Sequence, residues 1–130
     1  MYARQILFLG ASLLTSFMTS PAAAQEAHAP YVQMAEIEIE PSALENYKAA
    51  VREQIATAIR VEPGVLVLYA VSEQDNPTHI RVFEIYRDAD AYKAHLETAH
   101  FKTYKTSTEK MVRSLKLVRT LPIMLGAQTR

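Results

Sequence analysis

A carboxylate and an imidazole occupy the stretch EIYRDADAYKAHLETAHF, residues 84–101, at positions where apolar side chains are expected. Glu84 stands near the end of a strand pattern, and His95 stands in the middle of the helix pattern that follows. A buried carboxylate is unfavourable unless it is paired or protonated, and a neighbouring imidazole is a partner whose proton affinity the carboxylate raises. A positioned imidazole can take a proton from a phenol or an enol. The pair therefore predicts a general-base site, with His95 as the base and Glu84 as its orienting group.

Helical spacing sets the direction in which His95 points. Its helix face is shared with Ala91, Tyr92, Leu96 and Ala99. Such a face packs against a sheet, so the imidazole should point toward the strands. In the preceding strand, the face that carries Glu84 also carries Ile80, Val82 and Tyr86. The pattern leaves open whether that face lies beneath the helices. A histidine that only bonds Glu84 or a backbone carbonyl, and so stiffens the core, is the structural alternative.

The elements that position this pair follow from the hydrophobic pattern. Period-two alternation indicates strands, and apolar residues at helical intervals indicate helices. Pro63-Gly64 stops the first helix, Asp75-Asn76-Pro77 marks a turn, and Asp88 is the expected cap of the second helix. Ser42 and Glu45 have the spacing of a capping box. In order, the pattern predicts a strand at 31–40, a helix from 44 to about 59, strands at 65–71 and 78–86, a helix after 88, a helical stretch at 99–112 and a strand at 115–125.

This order is β-α-β-β-α-β, with the second helical region split. It predicts an α+β, ferredoxin-like domain in which helices pack on one face of an antiparallel sheet. Pro122 near the end of the last strand suggests an edge position or a departure from the sheet. The strands carry apolar residues on both sides, so the second sheet face also needs a cover. A symmetric homodimer, packed sheet against sheet, would supply it.

The N-terminal 24 residues have the pattern of a secretory signal peptide. Arg4 gives a small positive region, 6–18 is an uncharged and mostly apolar run, and small residues lead to a cut after Ala24. We therefore expect a signal at 1–24, a domain at 25–130, and a secreted or periplasmic protein without a membrane contact after cleavage. A membrane anchor is the alternative, but the apolar run is short for a span.

Composition excludes several function classes. The chain has no cysteine, which excludes thiol catalysis, thiolate metal sites and disulfide exchange. It has three glycines, too few for a glycine-rich phosphate loop. Its 14 Lys and Arg balance 14 Asp and Glu and are scattered, so no nucleic-acid partner is expected. No histidine cluster at metal-ligand spacing is visible, and no metal or other cofactor is expected.

Three stretches give the chain a family resemblance: PGVLVLYAV at 63–71, FEIYRDADAYKAH at 83–95 and TAHF at 98–101. Together they resemble the antibiotic biosynthesis monooxygenase domain family, and especially its small single-domain quinol monooxygenases. The resemblance covers nearly the whole mature chain, and the order and spacing of the motifs carry it. The positions that match the family pattern are Gly64, Tyr69, Glu84, Tyr86, His95, His100 and Phe101.

The resemblance implies a dimeric α/β barrel of two ferredoxin-like subunits, each with a pocket between its helices and its sheet. It also implies oxidation of a reduced quinone or polyphenol by molecular oxygen, without metal, haem or flavin. In such a pocket Tyr69 would bond a quinol oxygen, His100 would lie at the mouth, and Tyr104 would face inward as a further substrate contact. Core filling for the tyrosines and a surface position for His100 are the alternatives.

Other functions of the same fold stay open. The family also includes haem-degrading proteins, whose iron-ligating histidine would fall near Lys105 and whose tryptophan is absent from this chain. An isomerase or a small-molecule-binding module would use the same pocket without consuming oxygen. A structural dimer domain without a ligand is the third possibility, because a fold does not determine a function.

Overall fold

The strands of this protein form one four-stranded antiparallel sheet, in the order β2-β3-β1-β4, with the helices on one face. The structure is a computed structural model and describes residues 29–129. The ferredoxin-like α+β prediction is confirmed. The expected signal at 1–24 lies outside the described residues. The elements are β1 (Tyr31–Ile39), α1 (Leu44–Val61), β2 (Val65–Ser72), β3 (His79–Tyr86), α2 (Ala89–Glu97), α3 (Ala99–Thr108) and β4 (Val112–Thr120).

The sheet register decides which strand residues face the helices. In β1, alternation buries Ala35 and Ile37 beneath the helices, and Gln33 shares their face. Gln33 of β1 is the register partner of Glu84 in β3, so the Glu84 carboxylate also lies on the covered face. The question that the sequence left open is therefore answered: Glu84 points into the space between sheet and helices.

Helix α1 covers the centre of the sheet with an apolar stripe. Tyr47 and Ala58 are fully buried and Val51 is nearly so, as expected for side chains at helical spacing. The predicted capping box is wrong. Ser42 belongs to a short 3-10 turn, Pro41–Ala43, and no side chain caps the start of α1. Pro41, whose ring fixes φ, starts this 3-10 turn, so Ser42 lies inside the turn and not at the N-cap position that a capping box requires.

The second helical region is divided at Thr98. Asp88 caps α2 as predicted, because its carboxylate accepts the Ala91 amide hydrogen at 2.8 Å. Thr98 has extended backbone angles, ends α2, and caps α3 by accepting the Phe101 amide hydrogen at 3.3 Å. Its hydroxyl also donates to the His95 carbonyl at 2.8 Å. The break therefore turns the chain sharply between His95 and the start of α3.

Two predicted boundaries near the C-terminus are wrong. The helix at 99–112 ends at Thr108 and continues as a 3-10 turn, Glu109–Met111. The last strand spans Val112–Thr120 rather than 115–125, because its ladder pairs with β1, whose own pairing ends at Val32. The expected edge position of this strand is confirmed. Within the described residues, no helix has the length and apolar character needed to cross a membrane.

Gly64 permits a close approach between the start of β2 and helix α2. A Cβ atom at this position would lie 2.6 Å from the Ala91 Cβ, which is inside van der Waals contact. We expect Gly64→Ala to lower the free energy of unfolding by roughly 1–3 kcal/mol, the usual effect of overpacking a rigid site. Urea denaturation measures this. Gly126→Ala is the matched control, because a Cβ there meets nothing within 4 Å, and an equal loss in both variants would contradict the packing argument.

Candidate active site

A cavity of about 310 Å³ lies between the covered sheet face and the helices. Its volume is at the lower end of small-molecule sites, enough for one or two fused rings. The walls are mainly aromatic and aliphatic, and Tyr86, Tyr92, Phe101 and Tyr104 supply the rings. Flat side chains of this kind fit an aromatic ligand through stacking or edge contacts.

The cavity opens beside the edge strand β4. Leu115 and Leu117 line it from the covered side of this strand, yet 44% and 51% of their surfaces stay exposed. In the register, Leu117 pairs with Ala35 and Leu115 with Ile37, which are both buried. The same sheet face is therefore closed over β1 and open to solvent over β4.

His95 lies in the wall of this cavity, 3% exposed, and is held by a carboxylate from another element. Its Nδ1 is 2.9 Å from Oε2 of Glu62, the residue that ends α1. An ionised carboxylate only accepts hydrogen bonds, so Nδ1 carries the proton and Nε2 of the neutral ring is an acceptor. Nε2 lies 3.4 Å from Nε2 of Gln54, another lining residue, whose amide donates a long hydrogen bond to it.

The prediction that Glu84 orients His95 is wrong. Oε2 of Glu84 instead accepts hydrogen bonds from Gln33 Nε2 at 2.7 Å and from the Tyr86 hydroxyl at 3.0 Å. His95 and Glu84 do line the same cavity, as their assignment to one site requires. The physical reason is the placement of the two carboxylates. Strand β3 places the Glu84 carboxylate beside the Tyr86 hydroxyl, whereas the C-terminal end of α1 places the Glu62 carboxylate beside the imidazole.

Burial governs the protonation of Glu84. Loss of solvent raises the pKa of this carboxyl, and the hydrogen bonds from Gln33 and Tyr86 offset part of the rise. Burial and the adjacent Glu84 charge also raise the pKa of Tyr86. The Tyr86 hydroxyl therefore stays protonated and serves as a donor to the carboxylate, not as a base.

The cavity wall offers hydrogen-bond acceptors to a ligand. Gln54 is 6% exposed, and its Oε1 has no hydrogen-bond partner within the described residues. The second carboxylate oxygen of Glu84 and the weakly engaged Nε2 of His95 are further acceptors. A buried polar atom without a partner is unfavourable, so a ligand that donates hydrogen bonds gains affinity here.

The three expected substrate contacts have different positions. Tyr104 lines the cavity, and its hydroxyl bonds that of Tyr47 at 2.6 Å. Tyr69 is 63% exposed and pairs with Phe83 on the opposite sheet face, so its expected contact with the cavity is wrong. Strand alternation decides this, since the neighbouring Leu68 takes the inner position.

His100 is not in the cavity wall but lies behind His95. Its Nε2 is 2.7 Å from Glu62 Oε2 and 3.3 Å from the Thr98 hydroxyl. The ligand atoms of Glu62, His95 and His100 lie within 4.8 Å of one another, close enough to hold a metal ion. Histidine spacing along the chain shows no sign of this group, because Glu62 is 33 and 38 positions away from the two histidines. The fold, not the spacing in sequence, brings the three together.

Sequence reasoning missed two of the residues that matter most. Gln54 had a signal, because it falls at helical spacing between Val51 and Ala58 and so occupies the buried stripe of α1. Glu62 had no signal in the sequence, because a carboxylate just before Pro63-Gly64 is typical of an exposed residue at a helix end. Only the packing of α1 against α2 shows its partner.

Known proteins place these features in a family context. The family model for antibiotic biosynthesis monooxygenase matches residues 30–107. A candidate antibiotic biosynthesis monooxygenase from Bacteroides thetaiotaomicron is 44% identical over 80% of this chain and 99% of that one, with a TM-score of 0.75. Another from Nitrosomonas europaea is 26% identical over 75% and 92%, with a TM-score of 0.69. No curated protein matches the chain significantly.

The raised pKa of Glu84 makes stability depend on pH. The folded state holds this proton more tightly than the unfolded state, where the ordinary value is 4.5. The stabilisation is complete below that value and is lost as pH rises through the folded pKa. Glu84→Gln keeps a neutral acceptor, so between pH 4 and pH 8 it should gain on the order of 1 kcal/mol relative to wild type. Denaturation across this range measures the difference.

The exposed Glu109→Gln variant controls for removal of one carboxylate from the surface. Parallel stability curves for wild type and Glu84→Gln would show that burial does not govern this carboxyl.

Proposed function

Because the chain belongs to the antibiotic biosynthesis monooxygenase family, we propose that it oxidises a quinol or polyphenol-type aromatic with molecular oxygen and without a bound cofactor. The observation that carries the proposal is the position of the His95 imidazole, which lines an aromatic cavity while the Glu62 carboxylate lies 2.9 Å from Nδ1. This is the arrangement of a general base with an orienting carboxylate.

The base supplies the step that the reaction needs first. His95 Nε2 takes a proton from a ring hydroxyl, and the resulting phenolate is electron-rich enough to pass an electron to oxygen. The balanced reaction converts a quinol and O₂ into a hydroxyquinone and water. The four electrons that reduce O₂ come from the substrate: two from quinol oxidation and two from hydroxylation of one ring C–H bond. A largely apolar cavity limits side reactions of the intermediates with water.

The acceptor-rich wall supports a reduced substrate. A quinol donates two hydrogen bonds, whereas the hydroxyquinone that it becomes donates one. Gln54 Oε1 and the free oxygen of Glu84 are positioned in the wall to accept from such hydroxyls. Binding that favours the reduced form also helps the product to leave, since the product has one donor fewer.

We also propose that the protein is a homodimer. On the outer sheet face, register brings Tyr69, Phe83, Met34 and Val118 into one row across all four strands. Packing this row against a second copy would remove apolar surface from water and close a barrel.

We further propose export, with cleavage after Ala24. The support is the sequence pattern of residues 1–24, which has a basic start, an apolar run and a small-residue cleavage site.

Substitution of the base tests the function. We expect His95→Ala to lower oxygen consumption with a reduced naphthoquinone by roughly 100- to 10,000-fold, the usual contribution of a general base. His95→Gln, which keeps more of the side-chain volume, separates loss of the base from loss of packing. A no-enzyme control corrects for spontaneous quinol oxidation. Unchanged turnover in both variants, or no oxygen uptake by wild type with ligand-induced stabilisation intact, would favour a binding module or an isomerase.

The same assay distinguishes the two carboxylates. Glu62→Gln should lower kcat, because it removes the negative charge that holds the proton on His95 Nδ1 and that would stabilise the imidazolium formed when Nε2 takes a proton. Glu84→Gln should act mainly on KM, because Glu84 is placed to accept from the substrate and does not hold the base. The opposite pattern would return the orienting role to Glu84.

The homodimer is tested by placing a charge in the apolar row. Phe83→Glu should halve the mass measured by light scattering after gel filtration, because two carboxylates would be buried at the interface. Thr103→Glu introduces the same charge at an exposed helix position and should leave the mass unchanged. A wild-type protein of monomer mass would contradict the proposal.

A further inference from the structure

Three side chains from three helical segments converge behind the cavity. Glu62 comes from the end of α1, His95 from α2, and His100 from the first turn of α3. Glu62 Oε2 lies 2.9 Å from His95 Nδ1 and 2.7 Å from His100 Nε2. The side chains are 12%, 4% and 20% exposed, so the group is shielded but reachable from solvent on the His100 side.

These atoms are the ligand types that first-row transition metals prefer. Two imidazole nitrogens and one carboxylate oxygen bind zinc, iron, nickel or copper. Ligand atoms about 2.0–2.2 Å from one ion lie roughly 2.9–3.5 Å from each other, close to the distances that Glu62 makes. The Thr98 hydroxyl, 3.3 Å from His100 Nε2, leaves polar surroundings for a further ligand or a water molecule.

The other histidine–carboxylate group has no such convergence. His79 uses two different ring nitrogens, toward Glu38 at 3.8 Å and Glu73 at 3.5 Å. One imidazole cannot direct both nitrogens at one ion. His79 is therefore a natural control from the same chain.

We propose that Glu62, His95 and His100 form a binding site for a divalent transition-metal ion such as Zn²⁺, and that metal binding there switches off the general base. The second half rests on the proposed function, and the first half does not.

The switch follows from the two nitrogens of one imidazole. With Glu62 as the acceptor, the neutral ring keeps its proton on Nδ1, and the Nε2 lone pair accepts only the long hydrogen bond from Gln54 at 3.4 Å. A metal ion needs the Nδ1 lone pair, so the proton of the neutral ring must then sit on Nε2. Nε2 becomes a donor and can no longer take a proton from a substrate hydroxyl. The ion thus acts through tautomer choice and never enters the cavity.

Metal binding is measured on the purified mature protein without reference to activity. Equilibrium dialysis against Zn²⁺ should give one tightly bound ion per chain, and Co²⁺ should give the visible absorption of a site with nitrogen and oxygen ligands. His100→Gln keeps a hydrogen-bond donor to Glu62 but removes a metal ligand. This variant and Glu62→Gln should each weaken Zn²⁺ binding on the order of 100-fold. His79→Ala should bind as wild type does.

The tautomer is measured separately. In ¹⁵N NMR of histidine-labelled protein, Zn²⁺ should move His95 Nε2 from the unprotonated to the protonated range. Where quinol oxidation is present, Zn²⁺ should suppress it in wild type and His79→Ala, and the suppression should be lost in His100→Gln. Each variant is compared with itself, with and without Zn²⁺, and a chelator should reverse the effect. Melting curves show that each variant is folded.

The outcomes are distinguishable. Binding that His100→Gln and Glu62→Gln do not weaken, or no stoichiometric binding at all, would overturn the metal site. Binding at this cluster with His95 Nε2 still unprotonated would overturn the switch. Absence of oxygen uptake by the metal-free protein would overturn the proposed function but leave the dialysis and NMR results to decide the site.

Discussion

The contact between Glu62 and His95 is the interaction on which the candidate site depends. It is a single hydrogen bond of 2.9 Å between residues 33 positions apart, and it fixes both the ring orientation and the tautomer of the imidazole. Local features at the ends of α1 and α2 allow this contact to form. Pro63-Gly64 ends α1 just after the carboxylate, and the bare Cα of Gly64 lets α2 approach. The Thr98 hydroxyl then caps the C-terminal end of α2, the helix that carries His95, by donating to the His95 carbonyl.

The site is a set of polar groups inside a fold that would be more stable without them. Gln33, Gln54, Glu84 and His95 occupy positions that strand alternation or helical spacing assigns to the core. All four are hydrogen-bonded within the protein, but Gln54 Oε1 has no partner among residues 29–129. Proteins are only marginally stable, so unsatisfied buried atoms are rare where no ligand needs them. The unpartnered oxygen of Gln54 therefore favours a cavity built for a ligand over one left by packing alone.

The two faces of the sheet separate two tasks. The covered face carries the cavity and its base, while the outer face carries the apolar row to which Tyr69 belongs. Period-two alternation makes this separation automatic, because neighbouring residues in a strand point in opposite directions. His100 shows a similar division at closer range. It shares the carboxylate that holds His95 yet lies outside the cavity wall, so it can influence the base without contacting a ligand.

The sequence by itself determined the element order, the ferredoxin-like class, the family resemblance, the Asp88 cap and the inward direction of His95. These features depend on the spacing of nearby residues and on the strand and helix periodicities, and both can be seen in one sequence. The tertiary structure alone decided which sheet face is covered, that Tyr69 points away from the cavity, and that Glu62 rather than Glu84 holds the base. The reason is physical: a contact between the end of one helix and the middle of another depends on how helices pack across a sheet, and that geometry leaves no periodic trace in the residues that meet.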